Sequence, residues 1–349
     1  MESILVLTHT ALAEDCTCGP DSALTKASFE AVSAGHELAE RLGAPLTVGI
    51  VGSEAATSAS MLASLGARLL SVTGEMFAHP RYASDAAACE ALCRASGATI
   101  ILAPHSSRFA RVMAGVAHRI GGAIDTHVTA IAGTSSIEAS RWFYRQRVEG
   151  TISRDGRPWF LLLDGGLYPA FAGQRGTANL EPVAVELPPM RTTVTGVRTP
   201  ANDAQTIRPE AKLLFVAGAG WTKKQPDGQV HATEAGQLIL SFLSKTGASL
   251  GSSKSLVDQG GDGQAVLPFL SHMNQVGQTG ATPRHPKGLS TCCHGEEPHV
   301  VGWRFIGERR AISLDPNCGW TRGKADVVYV ADAFAVIGKV NALLTKQDT

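Results

Sequence analysis

The first 190 residues alternate short apolar runs with segments of helical periodicity, and this alternation restricts the fold more than any other feature of the chain. One helical segment, Thr25–Leu42, places Phe29, Val32 and Leu38 broadly on one face and stops at Gly43. Strands that alternate with helices predict a parallel sheet that is covered on both faces. The apolar runs are Ile4–Leu7, Leu46–Val51, Leu69–Val72, Ile100–Leu102 and Val128–Ile131.

The pattern changes after Ser140, where aromatic residues open two further apolar runs. Trp142–Gln146 and Trp159–Leu163 are typical of extended strands. No helical segment separates these two runs. We therefore expect both to join the parallel sheet as antiparallel or edge strands.

A proline-rich stretch divides the chain. Residues 188–209 contain four prolines and little periodicity, which indicates a linker. We predict an N-terminal domain over residues 1–190, a linker over 191–210 and a C-terminal domain over 211–349. The last domain opens with the apolar run Leu213–Val216 and closes with a helix that Asp332 would cap. The predicted fold class is α/β with two doubly wound domains, the first with a parallel sheet of the nucleotide-binding type and the second with a short parallel sheet.

The charge balance excludes several classes of partner. The chain carries 31 Lys and Arg against 31 Asp and Glu, so it lacks the basic excess of a nucleic-acid binder. No apolar run reaches the roughly 18–20 residues that a membrane span needs. The N-terminal Met1–Thr8 has an acid where a signal peptide has Lys or Arg, and it is typical of a first strand. We expect a cytoplasmic protein.

The seven cysteines predict no disulfide framework, because their number is odd and the chain is long enough to form a packed core. Cys89 and Cys93 lie one helical turn apart, where small buried residues are common. The other five are Cys16, Cys18, Cys292, Cys293 and Cys318, and none has the C-x-x-C spacing of a metal site. We predict no metal ligands.

Polar and small residues follow several strands of the second domain. Gly251–Lys254 comes directly after one predicted strand, Ser313 ends another and Ala331–Ala333 follows a third. The segment Gln275–Gly280 adds two glycines around an amide and a hydroxyl, which suits the edge of a flat polar heterocycle. Loops at the carboxyl edge of a parallel sheet are the usual site of a nucleotide cofactor.

The segments that begin at Gly251 and at Gln275 resemble two motifs of the alpha subunit of electron-transfer flavoprotein. That family has a Gln-Val-Gly-Gln-Thr-Gly run after a Gly-x-Ser-Arg-x-x-Val-Asp-x-Gly run. The corresponding segments here are Gln275–Gly280 and Gly251–Gly260, with Lys254 in place of the arginine. Arg208–Glu210 and Val330–Phe334 also fit the family. The resemblance covers nearly the whole chain, and the hexapeptide is its most specific part.

The resemblance implies that the second domain binds FAD and that the chain forms a heterodimer with an electron-transfer flavoprotein beta-type subunit. Such a protein shuttles electrons from a flavin dehydrogenase to an acceptor, so it has no catalytic residues of a substrate-converting enzyme. Thr279 would lie near flavin N5, and His299 near the pyrimidine carbonyl. Val276, Gly277 and Gln278 would line the ring. The other implied FAD contacts are Ser253, Lys254, His294, Gly295, Ser313, Asp332 and Ala333.

Some positions depart from the family pattern and keep other interpretations open. Gly218–Gly220 lacks a central arginine, Ala281 replaces a lysine, and Glu296 and Glu297 enter a loop that approaches the diphosphate. Arg284, Lys287 or His294 could supply compensating charge. The alternative function is a non-redox scaffold subunit with weak or absent FAD binding. A metal site formed by Cys292, Cys293, His294, Glu296 and His299 is a further hypothesis. We expect no cofactor in the first domain, since Gly52–Glu54 lacks a phosphate-binding glycine pattern.

Overall fold

A computed structural model describes residues 2–10, 24–134, 136–144, 148–196, 207–208, 211–258, 265–277, 282–291, 306–316 and 325–347. The chain divides into two compact units, Met1–Thr199 (unit 1) and Pro200–Thr349 (unit 2). Each unit contains a sheet of its own, and the predicted α/β class with two sheets is confirmed.

The described part of unit 1 contains a nine-stranded sheet in the order β7-β6-β5-β8-β4-β1-β2-β3-β9. β6 and β7 are antiparallel to their neighbours, and the remaining neighbours pair in parallel. The strands are β1 (Ile4–His9), β2 (Leu46–Gly52), β3 (Arg68–Thr73), β4 (Ile100–Pro104), β5 (Ala123–Ala132), β6 (Glu138–Phe143), β7 (Val148–Ser153), β8 (Trp159–Leu163) and β9 (Leu180–Pro182).

Helices cover both faces of this sheet. One apolar core contains side chains of α1 (Lys26–Leu42) and α2 (Ala56–Met61), and the opposite core contains those of α3 (Tyr82–Ser96) and α4 (Ser107–Arg119). α1 begins where the Thr25 hydroxyl accepts a hydrogen bond from the Ser28 N–H, and it ends at Gly43 in the left-handed region. Cys89 and Cys93 are buried in the α3 core, as their spacing predicts.

The prediction for Trp159–Leu163 is wrong in its placement. β8 lies inside the sheet, parallel to β4 on one side and to β5 on the other, and all five of its residues are buried. A continuous apolar run is what a strand buried on both faces requires. The Trp159 indole is held by a 2.9 Å hydrogen bond from Nε1 to Asp125 Oδ2. Within the part of unit 1 that the structure describes, only β6 and β7 form an antiparallel addition.

We expect the partly buried His9 to make the stability of unit 1 sensitive to acid. The imidazole packs on the Phe109 ring, and its Nε2 is buried without a partner among the described residues. Burial lowers the pKa of His9 to about 4; the bond to the Thr10 carbonyl opposes this and the Arg108 charge adds to it. The unfolded chain therefore binds the extra proton as pH falls from ~6.5 to ~4, and unfolding becomes about 3 kcal/mol easier.

We expect His9→Gln to flatten this pH dependence. Urea unfolding between pH 7 and pH 4.5 should lose stability more steeply in the wild type than in the variant. His118→Gln, which alters an exposed imidazole on α4, should keep the wild-type slope. Equal slopes in wild type and His9→Gln would contradict a His9 imidazole that stays neutral in the folded state.

The described part of unit 2 contains a five-stranded, all-parallel sheet in the order β11-β10-β12-β13-β14. α5 and α7 pack against each other and contribute to the same core, which includes Phe215 and Leu250. A smaller cluster on Leu214 and Val216 includes Val276. The elements are β10 (Leu213–Ala217), β11 (Ser249–Ser252), β12 (His285–Thr291), β13 (Ile306–Ser313), β14 (Val327–Val330), α5 (Ala232–Thr246), α6 (Lys254–Asp258) and α7 (Ala333–Gln347).

The last helix has the cap that the sequence predicts. The two carboxylate oxygens of Asp332 accept hydrogen bonds from the N–H groups of Phe334 and Ala335, at 3.3 and 3.1 Å. Among the helices of the described residues, none combines the length and the apolar character that crossing a membrane requires.

Candidate functional site

The strand order of unit 2 has a topological switch point at β10. The chain passes from β10 to β11 on one side and then to β12 on the other, so the connections leave β10 in opposite directions. Ligands of open α/β sheets bind at such a switch point, outside the carboxyl ends of the strands. The candidate residues that the structure describes are found at this edge.

The segment Ser271–Gly277 lies against the end of β11. Gln275 forms a parallel bridge with Ser252, and the Val276 N–H donates a 3.0 Å hydrogen bond to the Ser252 carbonyl. The Asn274 side-chain amide donates to the Leu250 carbonyl at 3.2 Å. Two motifs separated by about twenty residues in sequence are therefore adjacent in space.

Gly251 permits this close contact. A Cβ atom at position 251 would lie 2.5 Å from Val276 Cγ2 and 3.2 Å from Leu214 Cδ1. Val276 is itself almost fully buried in the cluster with Leu214 and Val216. Val276 thus packs directly against the backbone of Gly251, and any side chain at position 251 would displace the segment Ser271–Gly277.

Thr282 holds the far side of the same segment. Its hydroxyl accepts a 2.6 Å hydrogen bond from the Gly277 N–H, and Thr282 is nearly buried. The backbone positions of Val276 and Gly277 are therefore fixed by bonds to both β11 and Thr282.

Ser253 and Lys254 follow β11 in different environments. Ser253 is buried: its N–H donates to the Ala217 carbonyl at 2.8 Å, and its hydroxyl accepts from the Leu256 N–H at 3.3 Å. Lys254 has 60% of its side chain exposed, and its Nζ lies 3.8 Å from Asp258 Oδ2. An exposed pair of this length holds the ammonium weakly, so the cation is free to turn toward an anion.

A second group of candidate residues lies at the ends of β13 and β14. Ser313 is buried, with its hydroxyl 3.2 Å from the backbone N–H and carbonyl of Asp315, and its own carbonyl accepts from the Ala331 N–H. Ala333 is buried beside the capping Asp332. Three strand spacings separate β11 from β13, which is roughly 14 Å.

Two buried hydroxyls near this edge have no partner among the described residues: Ser252 Oγ at the end of β11 and Ser290 Oγ near the end of β12. A buried hydroxyl without a partner costs about 1–3 kcal/mol. By contrast, the Thr291 hydroxyl is bonded twice, to the Trp221 indole at 2.7 Å and to the Val216 carbonyl at 3.1 Å. The two hydroxyls without a partner thus lie close to a buried hydroxyl, that of Thr291, whose hydrogen bonds are formed.

The direction of β12 argues against Arg284 or Lys287 as the source of positive charge at the carboxyl edge of the sheet. Arg284 precedes β12 and Lys287 is its third residue, so both lie toward the amino end of the sheet. Lys287 pairs instead with Glu308, with 3.8 Å between Nζ and Oε2. The predicted site residues Gln278, Thr279, His294, Gly295 and His299 lie outside the described residues, as do Cys292, Cys293 and Glu296.

Unit 1 contains a polar cluster that the sequence analysis missed. His105, His127 and Asp164 follow or interrupt the adjacent strands β4, β5 and β8, and the Nδ1 atoms of both histidines face Asp164 Oδ1, at 3.4 Å for His105 and 3.1 Å for His127. Burial alone would raise the pKa of Asp164, but the two imidazoles outweigh it and lower the pKa to about 2. The sequence signal was a polar residue directly after two fully apolar strands, Ile100–Pro104 and Trp159–Leu163.

Comparison with known proteins gives two matches. A family model described as electron transfer flavoprotein domain matches residues 17–190. The chain is also similar to the electron transfer flavoprotein subunit alpha of Clostridium acetobutylicum. The two are 26% identical over 350 aligned residues, which cover 93% of this chain and 92% of that protein.

Proposed function

Because this chain is a divergent member of the electron-transfer flavoprotein alpha-subunit family, we propose that it is an electron carrier subunit that holds FAD at the carboxyl edge of its second sheet. The observation that carries the proposal is the contact between Gly251–Ser253 and Asn274–Val276. That contact brings the two most specific family motifs together at the sheet edge.

The residues at this edge fit the proposed cofactor. A dinucleotide needs contacts at two separated ends, and the candidates form two groups roughly 14 Å apart along the edge. The hydroxyl of Ser252 is buried and unpaired, so a polar ligand atom would satisfy it. We propose that Ser253, Lys254, Val276, Gly277, Gln278 and Thr279 serve the ring end, that Ser313, Asp332 and Ala333 serve the adenosine end, and that His294, Gly295 and His299 complete the site.

Each proposed contact has a defined task. FAD, when bound, supplies a ring that accepts and passes on electrons. Val276 excludes water and positions the segment that follows it. Lys254 provides positive charge close to the ring, and Thr279 offers a hydroxyl for a hydrogen bond at N5. A lysine keeps the charge of the family arginine but loses its planar, bidentate geometry, so this contact is less directional.

We propose that the chain works as a heterodimer with a beta-type subunit and receives electrons from a flavin dehydrogenase. The relative from Clostridium acetobutylicum is named as one subunit of its protein, which supports a partner chain. Co-expression with the beta-type subunit encoded by the same organism tests both points.

The test is the flavin content and visible spectrum of the purified heterodimer. One FAD per heterodimer, reduced by a flavin dehydrogenase and reoxidised by an acceptor, is the expected result. A colourless heterodimer that gains no absorbance on addition of FAD would favour the alternative, a non-redox scaffold subunit. The entry of Glu296 and Glu297 into the loop that approaches the diphosphate favours that alternative.

Lys254→Ala should weaken FAD binding about fivefold and lower the midpoint potential of the bound flavin. This factor corresponds to about 1 kcal/mol, which is the upper end of the range for an ion pair formed by an exposed side chain. Lys287→Ala is the matched control, since Lys287 is 66% exposed and also forms a 3.8 Å ion pair, but at the amino end of the sheet. Thr279→Ala should shift the potential and leave FAD content nearly intact. Fluorescence titration with FAD and redox titration give both readouts; identical values for Lys254→Ala and Lys287→Ala would exclude a role for Lys254.

A further inference from the structure

The cluster of His105, His127 and Asp164 is assembled by the strand order of unit 1. β5, β8 and β4 are consecutive in the sheet, and they run parallel to one another. Asp164 follows the central strand, His105 follows one neighbour, and His127 lies within the other. Residues far apart in sequence therefore meet at the carboxyl edge, where parallel sheets place their functional groups.

Backbone hydrogen bonds hold two of these residues beyond the strand ends. The His105 N–H donates to the Leu163 carbonyl at 2.7 Å, and the Asp164 N–H donates to the Val128 carbonyl at 3.0 Å. After Asp164 the chain is anchored again, because the Gly166 N–H donates to the buried Glu30 carboxylate at 2.7 Å. The carboxylate and one imidazole thus project from a fixed frame.

His127 reaches the cluster through a strained backbone. Its φ of 57° lies in the left-handed region, and the pairing of β5 with β8 shifts register between Asp125 and Val128. A residue with a Cβ in this region costs roughly 1–2 kcal/mol, and such strain is concentrated at functional sites. The bulge re-aims the His127 side chain toward Asp164.

The two histidine–carboxylate distances match the ligand spacing of a metal coordination shell. One donor atom from each residue can be chosen so that all three lie within 4.8 Å of one another, and the two histidine–carboxylate distances are 3.4 and 3.1 Å. Metal–ligand bonds of ~2.0–2.1 Å place neighbouring tetrahedral ligands about 3.3–3.4 Å apart. Two imidazoles with one carboxylate suit zinc and neighbouring first-row metals better than magnesium or calcium.

We propose that His105, His127 and Asp164 bind one divalent transition-metal ion of the zinc class. Three protein ligands leave at least one coordination position for water or an exogenous ligand. Solvent reaches this position, since 43% of the His127 side chain and 20% of the His105 side chain are exposed. The site lies in unit 1 and is independent of the FAD site proposed in unit 2.

The test is metal binding to the full-length chain after treatment with EDTA. Titration with Zn²⁺ should saturate at one equivalent, resist millimolar Mg²⁺ and raise the thermal unfolding temperature. Co²⁺ should give visible d–d bands without thiolate charge transfer. His127→Asn and Asp164→Asn should each weaken Zn²⁺ binding by at least about 100-fold. Asparagine tolerates the left-handed backbone, so His127→Asn removes the imidazole and retains the bulge.

Two controls separate this site from other ligands in the chain. His118→Ala removes an exposed imidazole of unit 1 and should keep full binding. The double variant Cys292→Ser with Cys293→Ser should also keep it. Absence of stoichiometric Zn²⁺ binding, binding that survives both His127→Asn and Asp164→Asn, or thiolate bands that disappear in the double cysteine variant would each overturn the proposal. The first of these results would identify the cluster as a metal-free hydrogen-bonded triad.

Discussion

Replacing Arg108 with methionine is expected to destabilise unit 1 by about 3–5 kcal/mol. Arg108 on α4 donates two hydrogen bonds to Asp85 on α3, from Nε to Oδ2 at 3.1 Å and from Nη2 to Oδ1 at 2.7 Å. Its Nη2 also donates to the Phe77 carbonyl at 2.6 Å. Both side chains are almost completely buried. The variant would leave the Asp85 charge in the core with one remaining described donor, the Arg81 N–H at 3.1 Å.

Urea unfolding at neutral pH measures this effect against a close control. Arg94 forms a 2.9 Å pair with Glu90 one helical turn away on the surface of α3, so Arg94→Met should cost only about 0.3–0.5 kcal/mol. The double variant Asp85→Leu with Arg108→Met removes both charges and should recover most of the loss, because an apolar pair leaves no unpaired ion. Similar decreases in the free energy of unfolding for Arg108→Met and Arg94→Met would show that the buried ion pair contributes no more to stability than the exposed one.

Replacing Gly251 with valine is expected to abolish most of the proposed FAD binding while unit 2 stays folded. The new Cβ would lie 2.5 Å from Val276 Cγ2, so the segment that begins the hexapeptide must move away from β11. Overpacking of this size costs ~1–3 kcal/mol. If this energy destabilises only the FAD-bound conformation, the affinity for FAD falls by about 5- to 150-fold. Fluorescence titration with FAD on the heterodimer gives the affinity, and circular dichroism reports the fold.

Gly338→Ala provides the matched glycine control. Its added methyl would meet only Leu238 Cδ2 at 3.8 Å, an ordinary contact, and alanine is the better helix former within α7. FAD affinity should therefore remain at the wild-type value. Unchanged FAD affinity in Gly251→Val would mean that the contact between β11 and Val276 does not form part of the cofactor site.

Local sequence patterns were sufficient for most elements. The first helix ends at Gly43 as the sequence predicts, and Asp332 caps the last helix. Caps and turns act over three or four residues, so the relevant contacts are present in the sequence window itself. The α/β class of both units follows for the same reason, because alternating periodicities report which segments are strands and which are helices.

The position of β8 shows where local patterns cease to suffice. An apolar run indicates burial on two faces, but it does not identify the strands on either side. β8 enters the sheet between β4 and β5, although it follows β7 in sequence. That choice depends on how the whole sheet buries its apolar surface.

The sequence by itself thus determined that this chain forms two α/β units and that Gly251–Lys254 and Gln275–Gly280 are the motifs of its second unit. Only the tertiary structure decided which of these residues touch, that Arg108 meets Asp85, and that His105, His127 and Asp164 converge. The physical reason is that side-chain clusters depend on the spatial order of strands. That order is set by non-local packing among segments, which no single stretch of sequence encodes.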